Sequence, residues 1–181
     1  MSYTLKKTVA LVGMMGSGKS AIGMAVARIL DVPFLDSDAA IEAASNLTIA
    51  EIFEREGETF FRAKESQILD RLLEEERGIL STGGGAFLSE RNRKTISEKG
   101  VSVWLRADID LLWTRVRHKN TRPLLRTQNP RATLQDIFDA RTPIYAKADL
   151  VVDAKADYAI SDMAERVIEA LLTRPDVLVR T

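Results

Sequence analysis

The octapeptide Gly13–Ser20, GMMGSGKS, constrains this chain more than any other segment. It fits the phosphate-loop pattern GxxxxGK[ST] at every fixed position. Before it, Thr8–Val12 (TVALV) is a short apolar run, rich in β-branched residues, that predicts a buried parallel strand. After it, Ala21–Leu30 carries Ile22, Val26 and Ile29 at helical spacing, which predicts a helix starting near Lys19. Strand, glycine loop and helix together form an anion cradle. Glycines at 13, 16 and 18 let successive amides turn inward, and the helix start adds unpaired N–H groups and positive dipole. Lys19 is expected to reach the terminal phosphates of a nucleotide and Ser20 to ligate magnesium, with Ser17 and Ala21 completing the contacts. A glycine turn that merely joins two elements would not need the Lys-Ser pair.

The rest of the composition is that of an ordinary globular protein. The 181 residues suffice for one domain with a full core, and 45% are hydrophobic. Net charge is zero, from 26 basic and 26 acidic side chains, so no global field favours nucleic acid or an acidic membrane. Absent cysteine removes disulfides, thiolate nucleophiles and cysteine metal sites; a single histidine, His118, removes a multi-histidine site. No secretion signal is evident, and no stretch approaches the roughly 20 apolar residues that span a bilayer. A cytoplasmic protein, monomeric by default, is the expectation.

Short apolar runs recur between helical segments: Phe34-Leu35, Ile79-Leu80, Val101–Leu105 and Leu150–Val152, five with the first. This alternation predicts an α/β fold with a five-stranded parallel sheet flanked by helices. Thr48 and Glu51 form a capping-box pattern for a helix through about Glu56, and a longer one is expected from about Thr59 to Glu76, burying Phe60 or Phe61 with Ile68, Leu69, Leu72 and Leu73. Further helices are expected from Ser89 to Lys99, Asp108 to Arg117, Thr133 to Ala140 and Tyr158 to Leu172. Residues 8–172 form the core of a single domain spanning 1–181; the tail Thr173–Thr181 is expected to be loose.

Ligands of parallel sheets lie beyond the carboxyl ends of the strands. That rule selects Asp36-Ser37-Asp38, the triple glycine Gly83–Gly85, and Arg106. Asp36 is a candidate magnesium-shell acid, although one of Asp36 and Asp38 is equally suited to cap the helix that follows. Three glycines at a strand end suggest backbone that approaches a ligand closely. Glu58, Arg62 and Glu65 share a helix face, either as a site or as a solvated ladder. Residues 115–131 carry Arg115, Arg117, Lys119, Arg122, Arg126 and Arg131 without an acid, and read as a mobile, arginine-bearing lid over a triphosphate. Arg141 is a further anion clamp.

In GMMGSGKS, FLDSDAAIE (34–42), FFRAKE (60–65), STGGGA (81–86), NTRPLL (120–125) and RTPIYAKAD (141–149), taken in order, the chain resembles the shikimate kinases of the nucleoside-monophosphate-kinase-like group. The resemblance implies that Asp38 holds shikimate hydroxyls, and that Arg62 and Arg141 grip its carboxylate. It further implies that Gly83, Gly84 and Gly85 offer backbone, that Glu65 orients Arg62, and that Asp36 joins Ser20 around Mg2+. Arg122 would be the lid arginine over ATP and Arg115 would lie near adenine. Lys19, Asp38 and Arg122 are then the catalytic candidates. Two stretches depart from the family pattern: Asp153-Ala154-Lys155, where a threonine is more usual, and His118-Lys119-Asn120. The implied reaction is ATP-dependent phosphorylation of the shikimate 3-hydroxyl. The alternatives are another small-molecule kinase, such as a gluconate kinase, or a non-catalytic nucleotide-binding module.

Overall fold

The computed structural model describes residues 2–118 and 125–181. Chain order runs β1 (Tyr3–Leu5), β2 (Thr8–Val12), α1 (Lys19–Leu30), β3 (Phe34–Asp36), α2 (Ser37–Ser45) and α3 (Ile49–Glu75). It continues through β4 (Ile79–Ser81), a 3-10 turn (Ala86–Leu88), α4 (Glu90–Lys99), β5 (Gly100–Arg106) and α5 (Ile109–Val116). After the undescribed stretch come α6 (Pro130–Tyr145), β6 (Leu150–Asp153), α7 (Ile160–Leu172) and β7 (Leu178–Arg180).

The five expected strands form one all-parallel sheet in the order β3-β4-β2-β5-β6. Every residue of β2 is buried, as a central strand covered on both faces requires. Because all five strands point the same way, their carboxyl ends share one rim. The register sets Asp36 beside Ser81 and Ser81 beside Leu11 on that rim, next to the start of the glycine loop. It also sets Arg106 directly opposite Asp153. The helix α1 packs against α7 and against β2, β3 and β4, while α4 packs on β5 and α3.

Local chemistry accounts for the helix starts. The Thr48 hydroxyl accepts from Glu51 N–H and the Glu51 carboxylate accepts from Thr48 N–H, both at 3.1 Å, a complete capping box. Asp36 caps α2 by accepting from Ala39 N–H at 3.1 Å, and Asp108 caps α5 by accepting from Leu111 N–H at 2.8 Å. The two helices expected on either side of residues 57–58 form one long element, α3, broken by a non-helical Gly57 (φ 86°, ψ 172°). Of the adjacent phenylalanines, Phe61 is buried and Phe60 lies on the surface.

Four expectations need correction. The tail is not loose: β7 pairs antiparallel with β1, and Val177 and Leu178 are fully buried. Burial of two aliphatic side chains is worth about 3–6 kcal/mol, enough to hold a short terminal strand. The helix expected to end near Ala140 runs on to Tyr145 through Pro143, which lacks an N–H and costs one intrahelical bond. Ile29 is exposed, and Leu30 takes the core position beside Val26. The segment expected as a lid, 115–131, overlaps ordered helix at both ends, with Arg115 on α5 and Arg131 on α6. Lys119, Asn120 and Arg122 lie outside the described residues.

Candidate active site

A cleft of about 620 Å³ opens at the carboxyl rim of the sheet. Gly16, Gly18, Lys19, Ser20 and Ala21 line one side of it, and Asp36, Asp38, Gly83 and Gly84 the other. The same space therefore joins the phosphate loop to the acid pair and to Gly83 and Gly84, while Gly85, Arg62 and Arg141 stand beside it and do not line it.

On the loop side, Gly16 (φ 83°) adopts a left-handed conformation, and a side chain there would stand 2.7 Å from Val116 on α5. The loop is thus pressed against α5, and Arg115 holds it there by donating from Nη1 to the Gly16 carbonyl at 3.0 Å. Lys19 Nζ donates to the carbonyls of Gly13 at 2.7 Å and Met14 at 3.2 Å, which sets the ammonium over the cradle. Ser20 and Ala21 face the cleft. Gly13 and Ser17 do not line it: Ser17 lies fully buried beneath the loop, its N–H donating to the Met14 carbonyl at 3.1 Å and its hydroxyl without a hydrogen-bond partner among the described residues.

The opposite wall is organised around the three glycines. A Cβ on Gly83 would stand 2.7 Å from Asp38 Oδ1, one on Gly84 3.4 Å from Arg141 Nη1, and one on Gly85 2.6 Å from Arg62 Nη2. Asp38 comes from α2, Arg62 from α3 and Arg141 from α6, so a side-chain-free floor lets three helices bring their charged groups together. The Ser37 hydroxyl fixes this floor by accepting from Gly83 N–H at 3.0 Å. Arg141 Nη1 donates to the Gly84 carbonyl at 3.2 Å. Arg62 Nη1 donates to Glu65 Oε1 at 3.0 Å, and its Nε lies 3.6 Å from the exposed Glu58. Glu65 is buried, so the helix face holds a built ion pair, with Glu58 a peripheral partner.

Electrostatics separates the acids. Burial raises Asp38 above the ordinary aspartate range, and the neighbouring carboxylates Asp36 and Glu42 push it further, against Lys19 and Arg62. Burial likewise raises Glu65, with Arg62 opposing. Asp36 uses Oδ1 to cap α2 while facing the cleft, so capping and a site role coexist in one side chain.

One candidate, Arg106, sits apart from these groups. Arg106, at the end of β5, donates from Nη2 to Asp153 Oδ2 at 3.0 Å on the sheet edge and does not line the cleft. This pair occupies Asp153, the last residue of β6, whereas Tyr158, Ile160 and Met163, just beyond, line the cleft beside Arg115. Sequence reasoning missed that aromatic and aliphatic wall, because nothing in the periodicity of α7 distinguishes a cleft wall from core. It also missed Tyr145, whose hydroxyl donates to the Gly84 carbonyl at 3.1 Å.

Comparison with known proteins agrees with this geometry. The shikimate kinase family model matches residues 15–172. A shikimate kinase of Cereibacter sphaeroides is 64% identical over 96% of this chain and 87% of its own length. One of Ruegeria pomeroyi is 62% identical over 96% and 89%. Among solved structures, the shikimate kinase of Acinetobacter baumannii in complex with shikimate superposes with a TM-score of 0.84 at 35% identity, covering 92% of this chain and 93% of that one. A gluconokinase from Sinorhizobium meliloti reaches only 0.59 at 18% identity over 95% and 94%, which is a likeness of fold. The chain belongs to the shikimate kinase family.

Proposed function

We propose that this protein transfers the γ-phosphoryl group of ATP to the 3-hydroxyl of shikimate, giving shikimate 3-phosphate and ADP. One observation carries the reading at the residue level: Asp38, Arg141 and Arg62 stand against the consecutive glycines Gly83, Gly84 and Gly85, and Asp38, Gly83 and Gly84 line a cleft whose other wall is the phosphate loop. A carboxylic acid with ring hydroxyls fits two guanidinium groups and one carboxylate. The planar fork of arginine binds both oxygens of a carboxylate at once.

In this reading the loop amides and Lys19 hold the phosphates, and Arg115, which lines the cleft, braces the loop through the Gly16 carbonyl. Arg62, steadied by Glu65, and Arg141 fix the acid end of shikimate, turning its 3-hydroxyl toward the phosphates. Asp38 orients that hydroxyl and takes its proton late in the transfer, a role suited to a carboxylate with a raised pKa. The transition state of phosphoryl transfer is dissociative in character, so positioning and charge stabilisation dominate over basicity. Arg122 would supply charge over the phosphates from the segment outside the described residues. Ser20 and Asp36 both face the cleft, and no group of three or more His, Cys, Asp or Glu gathers into a cage among the described residues. One hydroxyl and one carboxylate suit a magnesium ion that keeps most of its water and binds chiefly through phosphate. Bound there, magnesium would neutralise charge on the phosphate oxygens. No helix among the described residues is long and apolar enough to cross a membrane, and the cysteine-free sequence suits a reducing cytoplasm. We take the working unit to be a monomer, one kinase domain.

A coupled assay of ADP release with shikimate and with gluconate tests the reading. Turnover with shikimate alone is expected; turnover with gluconate, or with neither, would overturn it.

A further inference from the structure

Tyr145 is buried to 1% exposure at the end of α6, four residues beyond Arg141 and therefore on the same face. A phenol so enclosed needs a hydrogen-bond partner, and it finds the Gly84 carbonyl at 3.1 Å. Arg141 Nη1 donates to that same oxygen at 3.2 Å. A carbonyl has two lone pairs, and here each receives one donor from α6. Gly84 itself is exposed, carries no side chain and is flanked by glycine on both sides. The turn around it is closed by Ala86 N–H donating to the Gly83 carbonyl at 3.1 Å, a bond compatible with either orientation of the central Gly84–Gly85 peptide unit.

We infer that Tyr145 is a positioning residue for the acid substrate: its hydroxyl anchors the Gly84 carbonyl and so fixes the Gly85 N–H and the Arg141 guanidinium at the edge of the cleft that Gly84 lines. The peptide unit is planar and trans, so pinning the Gly84 C=O toward α6 turns the Gly85 N–H the opposite way. The anchor is itself rigid. The Tyr145 ring lies 6.5 Å from Phe87, stacked, and 6.2 Å from Trp104 on β5, tilted. Trp104 in turn touches Gly13, Cδ1 standing 3.5 Å from the Cβ position there. A continuous packed path thus runs from the phosphate loop through two aromatic rings to the floor of the acid subsite. Burial raises the phenol pKa, with the Arg141 guanidinium pulling the other way. The hydroxyl accordingly remains a donor throughout the neutral range.

The inference rests on Arg141 gripping the carboxylate, and the experiment separates the two. Tyr145→Phe keeps the ring and its stacking while removing the donor. Its KM for shikimate should rise about tenfold with KM for ATP and thermal midpoint nearly unchanged. Tyr145→Phe combined with Arg141→Ala should lose less than the product of the two single losses, since both act through one carbonyl and only the Gly85 N–H remains for Tyr145 to position. A parental shikimate KM in Tyr145→Phe, or parallel loss for both substrates with a lowered midpoint, overturns the positioning role. Fully additive losses overturn it too. If Arg141→Ala leaves shikimate KM unchanged, the reading of Arg141 fails instead. Should Tyr145→Phe not fold, 3,5-difluorotyrosine at position 145 provides the same test. Its more acidic phenol should introduce a new loss of shikimate kcat/KM as pH rises through neutrality, and a profile identical to the parent's overturns the inference.

Discussion

The guanidinium of Arg62 fills the space that a side chain on Gly85 would need, its Nη2 standing 2.6 Å from the Cβ position. The same relation ties Gly83 to Asp38, at 2.7 Å. Glycine costs roughly 0.5–1 kcal/mol against alanine in ordinary backbone, so three in a row are retained against their own entropy. The charged groups of α2 and α3 converge because the strand end beneath them is bare.

Adding a methyl group at either position should therefore separate fold from function. Gly85 has an ordinary φ of −100°, and what a methyl would strike is the movable end of a long side chain. Gly85→Ala should leave the thermal midpoint within a few degrees and raise shikimate KM about tenfold or more, with ATP KM unchanged. Gly83→Ala strikes the Asp38 carboxylate instead, so its loss should fall chiefly on kcat. Steady-state kinetics with each substrate varied decides the matter. Matching losses in both KM values would sink the assignment.

Glu65 gives a second separation. It is fully enclosed, and Oε1 accepts from Arg62 while Oε2 has no partner among the described residues. Glu65→Gln preserves shape but removes the charge that steadies Arg62. A charge-assisted hydrogen bond weakened to a neutral one costs about 1–2 kcal/mol, or roughly 5- to 30-fold in shikimate KM. Titration calorimetry with shikimate reads this directly, and an unchanged affinity would show that Arg62 holds its place without help.

Much of this site was legible in the sequence. GMMGSGKS carries its chemistry in consecutive residues, and the five strands announce themselves by short β-branched runs between helices. That one of Asp36 and Asp38 caps a helix followed from their place before it, and the structure identifies Asp36. What sequence could not weigh was the Arg62–Glu65 pair: helical spacing is identical for a solvated ladder and for a buried anchor, and only the packing of α3 against α2 and α4 distinguishes them. Tyr145 was hidden for a different reason. The helix expected from Thr133 stopped at Ala140, which removed the i, i+4 relation linking Tyr145 to Arg141. The tail was misjudged because its partner, β1, lies at the far end of the chain, and no local pattern reports a pairing across such a separation.

Arg115 should affect the other substrate. Its Nη1 bond to the Gly16 carbonyl braces the phosphate loop against α5 and touches nothing in the acid subsite. Arg115→Ala removes a partly buried, charge-assisted bond worth about 1.5–3 kcal/mol, which predicts a rise in ATP KM of roughly 10- to 150-fold. Shikimate KM measured at saturating ATP should stay near the parental value. A variant defective toward shikimate but normal toward ATP would contradict this placement of the residue.

Asp38 should trade stability for activity, and the sign follows from its raised pKa. A carboxyl that binds its proton more tightly folded than unfolded stabilises the fold below the ordinary aspartate range. That contribution is lost as pH rises through the folded value. At neutral pH the ionised Asp38 therefore sits uncomfortably between burial and the charges of Asp36 and Glu42. Asp38→Asn should raise the thermal midpoint at pH 7.5 by roughly 1–2 °C, or about 0.5 kcal/mol after allowing for solvent screening at this half-buried position. The gain should close as pH falls below the aspartate range, where the parent carboxyl is also neutral. In the same variant kcat should fall by about 10²–10⁴, the usual contribution of a positioned acid–base group. The parent's kcat should show an acid limb above the ordinary aspartate value. Thermal melts at two pH values beside a pH–rate profile test all three statements. A destabilised Asp38→Asn with near-parental kcat would mean that the carboxylate serves the fold, leaving the shikimate hydroxyl to be oriented by some other group.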